Sequence, residues 1–435
     1  MRPLLDSAAM RDADAAAVAI VGATALVRRA GVAVAQECRG LLGALYGRRV
    51  AVVAGPGLNG ADGRVCAEWL ARRGARVEVF SVADQPAALT GYDLIVDAAF
   101  GLGCSRPYHA PLGDAPVVAV DLPSGVDADT GDLWGSPARA TITVALGALK
   151  PAHVTGPAAA LAGRVVLRRL GIVGEARDGV VEDGDLARYV TRSRDDHKWR
   201  HAVAALAGSP LMPGAASLVA SGALAGGASM VRLASRADVT TLDLPAEVVR
   251  VTAGALDSRV RAVVAGPGLG EGSATWLGPM LAGVSVPVVL DADALDPTLL
   301  ADRRHDGPTW VLTPHDGEFA RLTGRPVPAD RIGATRALAA ASGCVVLLKG
   351  PVTIVAAPEG ATRVITSGTT ALATAGTGDV LAGLIGGALA RGHDPLEAAA
   401  LSAHLHGRAG ARLAPYAGAS DLPRRVAEVL ARTIP

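Results

Sequence analysis

Two α/β domains, each built on a mainly parallel sheet, are what this sequence predicts, and three observations carry that expectation. The chain has 435 residues, too many for one ordinary core. Short β-rich runs alternate with helix-length segments through both halves, the pattern of parallel βαβ units. A strand running into a glycine-rich loop occurs twice, as VVAGPGLNG at 52–60 and VVAGPGLG at 263–270, at the place where open α/β sheets bind ligands.

The elements follow in order. A helical stretch is expected over 6–45, then strands at 49–54, 75–82, 94–98 and 117–120, with a last one at 164–170. After it, GEARDGVVEDGDLARYVTRSRDDHK is charged and rich in Gly and Asp, which predicts a linker and domains of residues 1–176 and 177–435. In the second half strands are expected at 202–207, 230–234, 262–265, 286–290, 310–312, 344–348 and 352–356, with helices at 213–225 and 379–390 among the segments between them. These strands are continuously apolar rather than alternating, so the sheets should be covered on both faces.

Composition narrows the function classes. Lys plus Arg number 42 against 41 Asp plus Glu, a formal +1, which gives no support for a nucleic-acid or anionic-membrane partner. Only Lys150, Lys198 and Lys349 are lysines, so each stands out in an arginine-biased chain. Cys38, Cys66, Cys104 and Cys344 show no metal-ligand spacing and are expected to be free thiols in a reducing cytoplasm. The opening MRPLLDSAAMRDADAAAVA carries acids early and lacks a signal-peptide core. The uncharged run 208–231 contains Pro210 and Pro213 and few bulky apolar residues, and is expected to be a buried helix rather than a membrane span. Uncharged helices such as 213–225 could also bury a homo-oligomer interface.

The chemistry concentrates in TAGTGDVLAG, 374–383. Gly376 and Gly378 permit a tight turn, and the helix that follows points free backbone N–H groups, at its positive end, towards an anion. Asp379 at the helix start could serve as a base or simply cap the helix. Gly-x-Gly-Asp ahead of a long apolar helix favours the anion site.

This decapeptide resembles the signature of the ribokinase-like superfamily. With PVVLDADAL (287–295), LTPHDGEFARL (312–322), LLKGPVTIVAAPEG (347–360) and SGTTALATAGTGDVLAG (367–383) in that order, the second half resembles the ADP- or ATP-dependent NAD(P)H-hydrate dehydratases. The resemblance implies that Asp379 takes the proton of the hydroxyl being phosphorylated beside the turn of Gly376, Thr377 and Gly378. It implies nucleotide contacts from Lys349, Gly350, Pro351, Val352 and Thr353 as well as Gly378, with Mg2+ accompanying ADP or ATP. Ala228, Gly268 and His315 would face the hydrated dinucleotide. Taken singly, Lys349 could be a strand-end charge, His315 a loop cap, and Asp291 or Asp293 a turn closer.

In the first half, AGPGLNGADGRVCAEWLARRGARVEVF (54–80) is strand, glycine-rich loop, helix and strand, a weak dinucleotide signal alone. Together with DAAFGLG (97–103) and VAVDLPSGVDADTG (118–131) it resembles the NAD(P)H-hydrate epimerase domain, over about residues 5–165, and implies a Rossmann-like fold. By that resemblance Asn59, Asp97 and Ser124 would ligate a potassium ion. The loop of Leu58, Asn59, Gly60, Ala61 and Asp62 would hold the hydrated dinucleotide, with Gly101, Leu102, Gly103, Cys104, Ser105, Arg106 and Pro107 opposite. Asp121 would be the acid/base that inverts the hydrated carbon.

Some positions depart from the family patterns. Leu58 and Ala61 stand where the epimerases carry Asn and Gly, Trp199 follows His197-Lys198 where glycine is usual, and Asp316 replaces proline. The expected function is repair of hydrated NADH and NADPH by epimerisation and nucleotide-driven dehydration. The competing expectation is a ribokinase-like kinase of a vitamin precursor or sugar with a non-catalytic dinucleotide-binding N-terminal module.

Overall fold

The computed structural model describes residues 1–172, 176–189, 193–238, 240–303 and 307–433. The chain forms two compact units: Arg2–Asp178 with Ala329–Arg331, and Met1, Gly179–Pro328 and Ile332–Pro435.

In the first unit the opening helical stretch is two helices, Ser7–Val21 and Ala23–Leu42, bent by 111°. Gly22 makes the corner at φ 81°, a backbone conformation that an L side chain resists. Asp6 starts the first helix by accepting from the Ala9 N–H at 2.8 Å. Six parallel strands follow in the order Arg76–Ser81, Arg49–Ala54, Leu94–Ala98, Val117–Val120, Ile142–Leu146 and Arg164–Arg168. Ile142–Leu146, absent from the sequence reading, is a fully buried strand. The chain leaves the strand Arg49–Ala54 towards one side of the sheet and returns on the other at Leu94–Ala98. Between those two strands lies the topological switch point, where such sheets open a ligand crevice.

The second unit's sheet runs Asp178–Val180, Thr362–Ile365, Thr353–Ala356, Val345–Leu348, Val311–Leu312, Val288–Leu290, Ala262–Ala265, Ala202–Leu206, Met230–Ala234 and Val248–Arg250. It is parallel except for Thr353–Ala356, which is antiparallel to both neighbours. Alternate residues face opposite layers: Val203 and Ala205 join one apolar cluster, Ala204 and Leu206 the other. The expected cover on both faces is therefore present.

The stretch expected to be a linker is ordered structure over its described residues. Asp178–Val180 pairs in parallel with Thr362–Ile365, Asp183–Arg188 forms a 3-10 turn, and Leu186 and Tyr189 are buried in the second unit's core. Those apolar anchors outweigh the charge around them. Residues 174–175 and 190–192 of that stretch lie outside the described residues.

The uncharged run at 208–231 has a packing reason. Helix Gly214–Ala225 meets helix Thr377–Ala390 at backbone contact: a Cβ on Gly222 would sit 2.3 Å from the Val380 carbonyl oxygen, and one on Gly383 equally near that of Val219. Gly226 and Gly387 continue the seam four residues on. Bulky side chains cannot fit there. No single helix among the described residues is long and apolar enough to cross a membrane.

Candidate active sites

Two strand ends of the second unit meet in one polar cluster. Asp291 follows the strand Val288–Leu290 and Lys349 follows Val345–Leu348. The Lys349 Nζ donates to Asp291 Oδ1 at 2.8 Å, with Glu318 Oε2 at 3.5 Å. Burial works against the Lys349 ammonium, but Asp291 and Glu318 outweigh it and hold its pKa above the ordinary value. A Cβ on Gly378 would lie 3.7 Å from that Nζ and 3.9 Å from Asp291 Oδ2, so the glycine turn sits directly over the pair. Gly376, at φ 87°, is the N-cap of helix Thr377–Ala390, and the Thr377 hydroxyl donates back to the Leu372 carbonyl at 2.8 Å. The Gly378 and Asp379 N–H groups, in the first turn, then lack intrahelical acceptors. Asp379 stands beside them. Burial first, then the charges of Asp291 and Asp293, push its carboxyl up to about 7 against the pull of Lys349. It is poised to accept a proton near neutrality.

The remaining expected residues fall into place unevenly. Gly350 and Pro351 are exposed, and Val352 and Thr353 half-buried, in the turn that leaves Lys349. A Cβ on Gly368 would touch the Pro351 carbonyl at 3.0 Å, so the 367–376 loop flanks this turn. Gly268 (φ 64°) lies against Ala215 and Met212, and Asp293 fixes the same loop by accepting from the Gly270 N–H at 2.8 Å. His315 does cap its helix: Nδ1 accepts from the N–H groups of Gly317 and Glu318, while the Glu318 carboxylate accepts from the His315 N–H at 2.7 Å. With Nδ1 an acceptor, the neutral ring carries its proton on Nε2.

Ala228 is not brought to this site. It is buried, its N–H closes the C-terminus of helix Gly214–Ala225 on Ala223, and its neighbour Gly227 packs on Arg391. Arg391 caps the far end of the helix that Asp379 begins, about 20 Å away for a helix of that length. Ala215, near the other end of helix Gly214–Ala225, is the alanine that packs against Gly268. Glu318 and Ala215 were not anticipated. The His-x-x-Glu capping spacing was the one available signal for Glu318.

In the first unit, a cavity of about 470 Å³ opens at the switch point. Leu58, Asn59, Asp62, Gly101, Leu102, Gly103 and Asp121 line it, as expected, joined by Arg11, Asp14 and Lys150. Gly60 instead packs its backbone on Gly55, where a Cβ would be 1.9 Å from the carbonyl oxygen. Ala61, Cys104 and Ser105 line neither this cavity nor the adjoining one, which Arg106 and Pro107 border.

Asp121 is held at φ 64°, a left-handed conformation that Asp tolerates better than most residues. Its Oδ1 accepts from Lys150 Nζ at 2.5 Å and from the Leu146 N–H at 3.0 Å. Lys150 is 1% exposed and also donates to the Leu146 carbonyl at 2.7 Å. His153 completes the arrangement, with Nδ1 accepting from the Lys150 N–H and Nε2 2.6 Å from the Asp121 carbonyl oxygen. Burial, then Lys150, depresses that imidazole to about 4, so it is neutral. Burial, then the charges of Asp121 and Asp14, raise Asp62 to about 8, and burial also raises Asp14. Three carboxyls thus share one fixed ammonium, a charge balance that keeps Asp62 protonated near neutrality. Behind them Asp97 is buried with neutral donors, accepting from the Ser124 hydroxyl at 2.5 Å and the Ser124 N–H at 2.8 Å.

The second unit, with its parallel sheet, switch-edge anion turn and buried carboxylate, is of the ribokinase-like class. Its fold matches a ribokinase-like superfamily protein of Enterococcus faecalis at a TM-score of 0.52 and 22% identity, over 59% of this chain and 97% of that one. The family model for NAD(P)H-hydrate dehydratase matches residues 203–432, and that for the YjeF-related protein N-terminus matches 23–90 and 81–152. Bifunctional NAD(P)H-hydrate repair enzymes of Mycobacterium leprae and Mycobacterium tuberculosis are 36% and 38% identical, the first over 97% of this chain and 96% of the relative, the second over 90% of each. An ADP/ATP-dependent NAD(P)H-hydrate dehydratase from Bacillus subtilis, co-crystallized with ATP/Mg2+, aligns at a TM-score of 0.50 and 29% identity over 58% of this chain and 97% of that one. The chain belongs to the family of bifunctional NAD(P)H-hydrate repair enzymes.

Proposed function

We propose that the chain repairs hydrated NADH and NADPH in two steps, with residues 1–176 epimerising the R and S hydrates and residues 177–435 dehydrating the S hydrate at the expense of ADP or ATP. The observation that carries the second step is the meeting of the Gly376–Gly378 turn, Lys349 and Asp379 at one strand edge. Asp379 takes the proton from the ring hydroxyl as its oxygen attacks the terminal phosphoryl group. The turn's N–H groups and Lys349 stabilise the charge that moves onto the phosphoryl oxygens. Phosphate then leaves from C6 while a proton leaves C5, and the ring double bond is restored. The Asp291 and Glu318 carboxylates, both facing Lys349, are oxygen donors suited to Mg2+ on the nucleotide, where the ion would neutralise phosphate charge.

In the first step, Asp62 protonates the hydroxyl on the hydrated carbon and water leaves a ring cation stabilised by the ring nitrogen. Water returns to the opposite face and gives up its proton to Asp121, which Lys150 positions. Asn59, Asp97 and Ser124 fit a potassium ion. Asp97 is a buried carboxylate that accepts from neutral donors, the Ser124 hydroxyl and the Ser124 and Ala99 N–H groups, and the Asn59 amide nitrogen is buried without a hydrogen-bond partner among the described residues. An ion there would fix the Leu58–Asp62 and Gly101 segments against one another. Incubating the R hydrate with the protein, without nucleotide, tests this step: it should convert to the mixture of epimers, and Asp121→Ala should abolish the conversion. Equal rates in mutant and wild type would make the first unit a binding module.

A further inference from the structure

The first unit has a second cavity, of about 570 Å³, on the other side of the wall formed by Pro56 and Phe100, which line both cavities. It opens at the C-terminal end of the strand Arg76–Ser81, next to Arg49–Ala54. In sheets of this topology a dinucleotide laid across the switch point carries its adenosine half past the end of that neighbouring strand, where an acid binds the ribose 2′-hydroxyl or an arginine the 2′-phosphate.

The lining here is basic. Arg64, Arg106 and His109 border the cavity and no carboxylate does. Arg64 is anchored by a hydrogen bond from Nη2 to the Gly55 carbonyl at 3.1 Å, and the Arg106 guanidinium lies 5.1 Å from the Phe100 ring centroid. Neither arginine is in an ion pair among the described residues, although the chain holds nearly as many acids as bases. Asp84, between the lining residues Ala83 and Gln85 but not itself bordering the cavity, accepts from the Ser81 hydroxyl at 2.6 Å. Two guanidinium groups without carboxylate partners at the mouth of a cavity suit a dianion, which arginine grips with paired N–H donors.

We propose that this second cavity seats the adenosine end of the hydrated dinucleotide, and that Arg64 and Arg106 recognise its 2′-phosphate, so that the first unit prefers hydrated NADPH to hydrated NADH. The inference rests on the reading of that unit as an epimerase. It is tested by following R-to-S conversion of each hydrate chromatographically, without nucleotide, to obtain the ratio of kcat/KM for NADPH hydrate over NADH hydrate. The wild-type ratio exceeds one. Arg64→Ala and Arg106→Ala each lower it about tenfold, as loss of a charge-assisted hydrogen bond to phosphate should, and Arg64→Lys keeps part of the preference. Conversion of both hydrates with a ratio that neither alanine variant changes overturns the phosphate site alone. Conversion of neither by the wild-type chain overturns the epimerase reading and the site with it.

Discussion

Lys150→Met takes away the only ammonium near three carboxyls. The ion pair with Asp121 is 2.5 Å long, and the two side chains are 1% and 11% exposed. Removing one partner of a buried pair costs about 3–5 kcal/mol, because the other is left charged and uncompensated. For a unit of this size each kcal/mol moves the midpoint by roughly 2–4 °C, so the first unit's calorimetric transition should fall by about 6–20 °C. Asp121→Asn should destabilise it as well, by stranding the ammonium. The double variant, with both charges gone, should recover part of the loss, a coupling of about 1–3 kcal/mol. Epimerisation should be lost in all three proteins, while dehydration of the S hydrate continues and reports an intact second unit. Strictly additive single losses, or a Lys150→Met protein that still epimerises at the wild-type rate, would refute the reasoning.

The other expectations concern pH and packing. Asp379, raised to about 7, must be ionised to act as a base, so kcat/KM for dehydration should fall about tenfold per pH unit below that value, and Asp379→Asn should cost about 10²–10⁴ in kcat. Asp62, raised to about 8, must be protonated to act as an acid, so epimerisation should decline above that pH; a flat profile in either assay counts against the assigned group. Gly222→Ala places a Cβ 2.3 Å from a backbone oxygen of the facing helix, and should destabilise the second unit by about 1–3 kcal/mol in denaturant titration, with no effect on epimerisation.

The strands Arg49–Ala54, Leu94–Ala98, Val117–Val120, Met230–Ala234 and Ala262–Ala265 were legible end to end, because each is apolar at all but at most one position. Thr362–Ile365 and Val248–Arg250 were not: each carries polar residues in place of an apolar run, and they become strands by pairing with Thr353–Ala356 and Met230–Ala234. The Gly-x-Gly-Asp turn could be read because glycine spacing encodes backbone geometry locally. Lys150 could be noticed only as a rare residue, since its partner lies 29 positions away and nothing local says that a lysine will be buried. The placement of Ala228 away from Gly268, with Ala215 there instead, has a similar origin: in an alanine- and glycine-rich stretch, residues at the two ends of one helix look alike. Asp293, by contrast, does the modest task open to it from the start, holding the Gly270 loop.

The central claim is that one chain holds two sites whose combined action rescues both epimers. The most direct measurement supplies each purified NADH hydrate separately with the protein and ADP, then ATP, and follows the near-ultraviolet absorbance of NADH. Both epimers should regenerate NADH with wild type. With Asp121→Ala the S hydrate should still respond and the R hydrate should lag at its uncatalysed rate, whereas Asp379→Asn should restore neither. Failure of the wild-type protein to regenerate NADH from the S hydrate with either nucleotide would contradict the account.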